Sequence, residues 1–130
     1  MKTILTLEDE LEINDFYKDL FEDFDYNVLS ATTYEEVMKI VDSSKVDLLV
    51  VDNLLQYSNS QKDGFQTARE VRGISPETKI IMISSHYPPE LEKVHSEYGI
   101  DVLLPKPFDI TDLVEKVKQL LNPEKENSST

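Results

Sequence analysis

The chain has 130 residues, a length sufficient for one domain with a single core, and its 39% hydrophobic content is typical of globular rather than disordered proteins. Its 26 acidic and 13 basic residues give a formal net charge of -13, and such an acidic segment repels phosphates, which argues against direct DNA or RNA binding. Because it contains no cysteine, no membrane-length apolar run and no signal-peptide pattern, we exclude disulfide and thiolate sites and expect a cytoplasmic protein away from the membrane.

Short apolar segments alternate with amphipathic segments along the chain. Five apolar segments are predicted to be β-strands: 2–7, 26–31, 46–52, 80–83 and 102–104. The first amphipathic segment is predicted to be a helix, since apolar residues recur in it near helical spacing: Leu11, Phe16, Leu20 and Phe24. The second predicted helix opens at a capping box formed by Thr33 and Glu36 and continues through Val41.

Three further helices are predicted in the second half of the chain. The first stops at Gly73, the next ends at Gly99 in a left-handed cap, and the last is capped by Asp109. The alternation of five strands with five helices predicts an α/β fold, a doubly wound five-stranded parallel sheet with helices on both faces. Residues 1–121 would form this domain, and residues 122–130 a disordered tail or the start of a linker.

The third predicted strand ends in a carboxylate. Its sequence, VDLLVVD, is the kind of apolar run that is buried on both faces of a parallel sheet. In open α/β sheets, ligands bind beyond the carboxyl ends of the strands, and Asp52 lies at that edge. A charge there requires a metal, a cation or hydrogen-bond donors, so Asp52 is a candidate site residue.

Polar residues also follow three other predicted strands, at the same edge of the sheet. They are Glu8 and Asp9 after the first strand, Ser84 after the fourth and Lys106 after the fifth. Three carboxylates repel one another unless a cation lies between them, and hard oxygen ligands favour Mg²⁺. A lysine adds a second positive charge suited to phosphate, so the sequence predicts a site for Mg²⁺ and a phosphoryl group.

This set of residues resembles the receiver domain of two-component response regulators, the CheY-like family, over about residues 1–121. The resemblance is carried by Glu8-Asp9, Asp52, Ser84 and Lys106-Pro107-Phe108. It implies a flavodoxin-like (βα)5 fold and a signalling phosphoacceptor rather than an enzyme. It also implies that a histidine kinase or a histidine phosphotransfer protein donates the phosphoryl group.

The resemblance assigns a role to each residue of the set. Asp52 would be the phosphoacceptor, Lys106 would stabilise the phosphoryl group, and Ser84 would be the hydroxyl of the conformational switch. Mg²⁺ would be held by Glu8, Asp9, Asp52 and the backbone carbonyl of Leu54. In this family the bond between Lys106 and Pro107 is often cis.

Two features depart from the common family pattern. Leu103 stands where many receivers carry tyrosine or phenylalanine, so the aromatic part of the usual switch is missing. Gly64 lies about four residues further from Asp52 than usual, which lengthens the polar loop 53–62. That loop is either a solvated insertion or part of a surface that docks a kinase.

Two other functions remain compatible with the residues. One is a degenerate receiver that binds a partner without phosphorylation, and the other is a Mg²⁺-dependent phosphohydrolase. The second is disfavoured because Leu54 stands where such aspartyl phosphatases carry a second acid. The output would be a separate downstream protein or an output domain of a longer chain, and a homodimer could form through the fourth and fifth predicted helices.

Overall fold

A computed structural model of the protein describes residues 1–52, 64–85 and 95–122. The strands are β1 Thr3–Leu7, β2 Asn27–Ala31, β3 Leu48–Asp52, β4 Lys79–Ser84 and β5 Val102–Pro105. The α-helices are α1 Leu11–Asp23, α2 Tyr34–Ser43, α3 Gly64–Ile74 and α4 Ile110–Leu121, of which α4 is the fifth predicted helix. The segment His95–Tyr98 is a 3₁₀ helix.

Some predictions fall on parts of the chain that are not described. The loop 53–62, the start of the fourth predicted helix at residues 86–94 and the tail from residue 123 onward all lie outside the described residues. The described end of the fourth predicted helix is the 3₁₀ turn His95–Tyr98 rather than an α-helix.

All five strands are parallel and have the order β2-β1-β3-β4-β5. This is the flavodoxin-like order of a doubly wound sheet, so the predicted fold class is confirmed. The register aligns the carboxyl ends of the central strands, since Asp52 pairs with Ile83 and Ser84 pairs with Pro105. The residues that follow these strands are therefore brought to one edge.

Helices cover both faces of the sheet. On one face α2 and α3 pack their buried residues, such as Val37 and Ala68, against Leu49 and Val51 of β3. On the other face α1 and α4 pack against alternate residues of the same strand, Leu48 and Val50. The strand β3 is buried along its whole length, as the apolar run predicts. No helix in the described ranges is long and apolar enough to cross a membrane.

The buried face of α1 differs from the predicted one. Leu11, Phe16 and Phe24 are exposed, and Leu20 is only partly buried. The buried residues of the helix are instead Asn14, Tyr17 and Phe21. These three follow spacings of three and four residues, which keep them on one stripe of a 3.6-residue helix, whereas the five-residue step from Leu11 to Phe16 leaves that stripe.

The predicted caps are confirmed in position, with differences in their hydrogen bonds. The Thr33 hydroxyl accepts a hydrogen bond from the backbone N–H of Glu36 at 3.1 Å, which opens α2. The Glu36 carboxylate accepts from the N–H and the hydroxyl of Thr32, one residue before the expected Thr33, and these bonds lower its pKa. Asp109 lies at the N-cap of α4, but its side chain makes no capping hydrogen bond.

At the amino edge of the sheet, two aspartates tie neighbouring strands together. The Asp47 carboxylate, just before β3, accepts a hydrogen bond of 2.8 Å from the N–H of Thr3 in β1. The Asp101 carboxylate, just before β5, accepts 2.8 Å bonds from the N–H of Ile80 in β4 and from the guanidinium of Arg72 in α3. Each strand that begins after an aspartate is thereby fixed to its neighbour.

Gly99 has the left-handed conformation that the sequence predicts, with φ +81°. Its carbonyl accepts a hydrogen bond of 2.9 Å from Arg72, whose side chain lies across the glycine. A Cβ at Gly99 would lie 2.8 Å from the Cβ of Arg72, closer than packed carbon atoms approach. Both the backbone angle and the contact therefore require glycine here.

Gly73 and Gly99 form a matched pair for a stability test. A Cβ at Gly73, in the last turns of α3, would meet no atom within 4 Å beyond its own helix backbone and chain neighbours. Gly73→Ala should therefore raise the free energy of unfolding by about 0.5–1 kcal/mol. Gly99→Ala should lower it by about 1–2 kcal/mol because the left-handed conformation disfavours a Cβ. Urea unfolding measures both, and shifts of the same sign would contradict this account.

Candidate functional site

Asp52 is the last residue of β3, and only 2% of its surface is exposed. Its Oδ1 atom accepts a hydrogen bond of 2.8 Å from Nζ of Lys106, which also forms an ion pair. Its Oδ2 atom accepts a hydrogen bond of 3.1 Å from the hydroxyl of Tyr17. Within the described part of the chain, a cation and a neutral hydroxyl thus help to compensate the buried charge.

Lys106 approaches the carboxylate from the end of β5. Its backbone N–H donates to the carbonyl of Ser84 at 2.9 Å, which joins the ends of β4 and β5. Its side chain is 34% exposed, so the ammonium lies between Asp52 and solvent. The bond between Lys106 and Pro107 is cis, as the resemblance implies. Ser84 is buried at the end of β4.

Glu8 follows β1 and is 3% exposed. Its carboxylate accepts a hydrogen bond of 3.0 Å from the backbone N–H of Glu10. Burial raises the pKa of Glu8 to about 8, and hydrogen bonding to Asp9 and to Asp52, together with the negative charge of Asp52, acts in the same direction. The Glu8 carboxyl therefore holds a proton at neutral pH when no cation is bound.

Asn14 holds the turn that presents Glu8. Its side-chain amide donates hydrogen bonds to the carbonyls of Glu8 at 3.1 Å and Ala31 at 2.9 Å, and its carbonyl oxygen accepts one from the hydroxyl of Thr6. The amide thereby joins the ends of β1 and β2 beneath the site. Sequence reasoning missed this residue, although its spacing with Tyr17 and Phe21 places it on the buried stripe of α1.

Tyr17 is the second residue that sequence reasoning missed. It is 3% exposed, and its ring stacks on Phe21 with centroids 6.2 Å apart and an interplanar angle of 11°. Burial and the adjacent charge of Asp52 raise the pKa of the phenol above its ordinary value, so it remains a neutral donor. No motif signals this role, because the bond to Asp52 spans 35 residues of sequence.

Most of the predicted site residues lie close together in the structure, but those within the described ranges do not form a complete set of metal ligands. Glu8 interacts with both Asp9 and Asp52, while Asp9 is exposed. Within 1–52, 64–85 and 95–122, no group of three or more His, Cys, Asp or Glu residues is arranged to hold a metal ion. The backbone carbonyl of Leu54 lies outside these ranges. The donor chemistry nevertheless fits Mg²⁺, since carboxylate oxygens are ligands that this ion prefers and its charge would stabilise the ionised form of Glu8, which burial disfavours.

Leu103 lies on β5, half-buried, and packs against the cluster formed with α2 and α3. Its side chain fills the position that the resemblance assigns to an aromatic ring.

Comparison with known proteins identifies the family. A family model for the response regulator receiver domain matches residues 4–118. The transcriptional regulatory protein CpxR of Klebsiella pneumoniae subsp. pneumoniae (strain HS11286) is 34% identical over 122 residues, which cover 93% of this chain and 50% of CpxR. The alkaline phosphatase synthesis transcriptional regulatory protein PhoP of Bacillus subtilis (strain 168) is 30% identical over 92% of this chain and 48% of PhoP. The chain thus spans about half the length of the curated relatives it matches.

Solved structures agree with this match. A CheY-like response regulator receiver domain protein from Methanospirillum hungatei JF-1 has a TM-score of 0.85 at 25% identity, with 98% of both chains covered. The response regulator protein TrrA from Thermotoga maritima, solved in complex with Mg(2+)-BeF, has a TM-score of 0.78 at 29% identity, over 93% of this chain and 100% of that one. The fold, the family match and these relatives together show that the chain belongs to the receiver domain family of two-component response regulators, which are signalling phosphoacceptors.

Proposed function

We propose that Asp52 is the phosphoacceptor of this receiver and that it takes a phosphoryl group from a phosphohistidine on a histidine kinase or a histidine phosphotransfer protein. The observation that carries the proposal is the buried Asp52 carboxylate with the Lys106 ammonium 2.8 Å from Oδ1. Phosphoryl transfer depends mainly on a positioned nucleophile and on positive charge near the phosphoryl oxygens. Asp52 and Lys106 supply these two components.

In the proposed reaction, a carboxylate oxygen of Asp52 bonds to phosphorus while the bond between phosphorus and the donor's imidazole nitrogen breaks. The electron pair of that bond stays on the nitrogen, and the product is an acyl phosphate on Asp52. Lys106 then moves its hydrogen bond from Oδ1 to a phosphoryl oxygen, which its partial exposure allows. The Ser84 hydroxyl binds another phosphoryl oxygen and shifts the chain after β4. Leu103 offers no ring, so this switch depends on Ser84.

The reaction is proposed to require Mg²⁺. When bound, the ion would neutralise charge on the phosphoryl oxygens, and Glu8, Asp9, Asp52 and the backbone carbonyl of Leu54 would hold it. The oxygen-rich donor set supports this assignment, as does the Mg(2+)-BeF complex of TrrA. Glu8 must release its proton before it can act as a ligand, so metal binding is linked to pH.

The output is proposed to lie outside this segment, within the cytoplasm. CpxR and PhoP carry the names of transcriptional regulators, and about half of each protein has no counterpart in this chain. The phosphorylated receiver would act on an output domain of a longer protein or on a separate protein target. The charge of -13 argues against DNA binding by the receiver itself. Self-association through the fourth and fifth predicted helices stays a prediction.

Labelling tests the phosphoacceptor. Incubation with acetyl phosphate and Mg²⁺ should add one phosphoryl group, detected by intact-mass spectrometry and mapped to Asp52 in peptides kept at low pH. Asp52→Asn should abolish the label, and so should chelation of Mg²⁺ by EDTA. Asp47→Asn is the matched control, because Asp47 lies at the opposite edge of the sheet. A label at another residue in Asp52→Asn would overturn the assignment.

Calorimetric titration with Mg²⁺ tests the acidic pair. Asp9→Asn should weaken Mg²⁺ binding about tenfold or more, because loss of a ligand costs at least as much as loss of an outer-shell partner. Glu10→Gln changes the neighbouring exposed acid, to which no metal role is assigned, and should bind Mg²⁺ like the wild type. Equal affinities for Asp9→Asn and wild type would remove Asp9 from the ligand set.

The pH dependence of stability tests the protonation of Glu8. The pKa of Glu8 in the folded protein is about 8 against an ordinary 4.5, so the folded state binds more protons between these values. The free energy of unfolding in EDTA should therefore decrease as pH rises from about 4.5 to about 8 and level off above that. Glu8→Gln should flatten this decrease, and Glu10→Gln should keep it. A wild-type stability that rises over this range would refute the raised pKa.

A further inference from the structure

Both oxygens of the Asp52 carboxylate have a protein donor: Lys106 on Oδ1 and Tyr17 on Oδ2. The proposed function needs one of these oxygens for the bond to phosphorus and the other for Mg²⁺. Each donor must therefore either leave its oxygen or share it. The two donors differ in their freedom to do so.

Lys106 can follow the phosphoryl group, because its flexible side chain is 34% exposed. Tyr17 is held in the core between α1 and the sheet, stacked on Phe21, and is 3% exposed. A buried tyrosine ring has few alternative rotamers in close-packed surroundings. Its hydroxyl therefore has less freedom than the Lys106 ammonium to move away from the carboxylate.

We infer that the Tyr17 hydroxyl competes with Mg²⁺ for Oδ2 of the Asp52 carboxylate and thereby lowers the metal affinity of the site. The inference rests on the proposed function, because it concerns the same carboxylate. If the cation displaces the phenol, binding must break a hydrogen bond to a charged group. If the two share Oδ2, the phenol withdraws electron density that the cation would use. Both cases weaken Mg²⁺ binding, so they predict the same direction of change.

The variant Tyr17→Phe keeps the ring and its packing on Phe21 while removing the hydroxyl. Calorimetry at one fixed pH should show about tenfold tighter Mg²⁺ binding than in the wild type, the size expected for loss of a competing hydrogen bond to a charge. Tyr26→Phe is the matched control, since Tyr26 is also buried. Its hydroxyl accepts a hydrogen bond from Asn122, and within the described part of the chain the Asp52 carboxylate bonds to Tyr17 and not to Tyr26. That variant should bind Mg²⁺ with unchanged affinity.

Labelling by acetyl phosphate separates an effect on metal binding from one on the reaction. At Mg²⁺ concentrations below saturation, Tyr17→Phe should be labelled several-fold faster than the wild type. At saturating Mg²⁺ the two rates should be equal, because the hydroxyl acts on affinity and not on the transfer step. A purely structural role for Tyr17 would instead lower stability without this dependence on Mg²⁺ concentration.

A measurement on the wild type does not depend on how well the variant folds. With ¹³C at the Cζ atoms of its six tyrosines, the protein should show a Mg²⁺-dependent shift of the Tyr17 signal, whereas that of Tyr26 should stay in place. Equal or weaker Mg²⁺ affinity in a folded Tyr17→Phe, or an unmoved Tyr17 signal at saturation, overturns the inference and leaves the phosphoacceptor role standing. Absence of Mg²⁺ binding by the wild type overturns both.

Discussion

The structure depends on one constraint, which is that the carboxylate of Asp52 is buried at the end of the central strand. An uncompensated charge in that position would cost more than the packing of its neighbours could offset. Hydrogen bonds from Lys106, which follows β5, and from Tyr17, which lies on α1, offset this cost. The end of β5 and the middle of α1 are therefore both fixed by the need to satisfy one carboxylate.

A second carboxylate, that of Glu8, would link cation binding to protonation at this site. Burial raises the pKa of Glu8 to about 8, with Asp9 and Asp52 acting in the same direction, so the metal-free site avoids carrying two adjacent buried negative charges. Asn14 holds the turn through the backbone carbonyl of Glu8, a contact that does not involve the titrating carboxylate. A divalent cation would exchange with that proton rather than enter a site that is already fully charged.

The sequence predicts the sheet and the residues at its carboxyl edge well. Each of these strands is an apolar run of strand length, and each run is followed by a polar residue: Asp52, Ser84 or Lys106. It does not predict the contribution of α1. Leu11, Phe16 and Phe24 are more hydrophobic than Asn14, so composition favours a face that the fold exposes. Tyr17 and Asn14 are selected by tertiary contacts to β3 and to the turn after β1, and such contacts leave no local pattern in the sequence.

An aspartate lies at each end of β3, and the two carboxylates have different kinds of partner: Asp47 binds a backbone N–H, and Asp52 binds side chains. At the amino edge, the Asp47 carboxylate accepts a hydrogen bond from the backbone of β1. The Asp101 carboxylate accepts one from the backbone of β4 and another from Arg72. None of these contacts involves Asp52, the proposed site of phosphorylation. At the other edge, the described residues that hold the Asp52 carboxylate are Lys106 and Tyr17, and the partly exposed Lys106 can leave. The amino edge of the sheet is therefore anchored by contacts that do not involve Asp52, whereas the charge of Asp52 is held at the carboxyl edge.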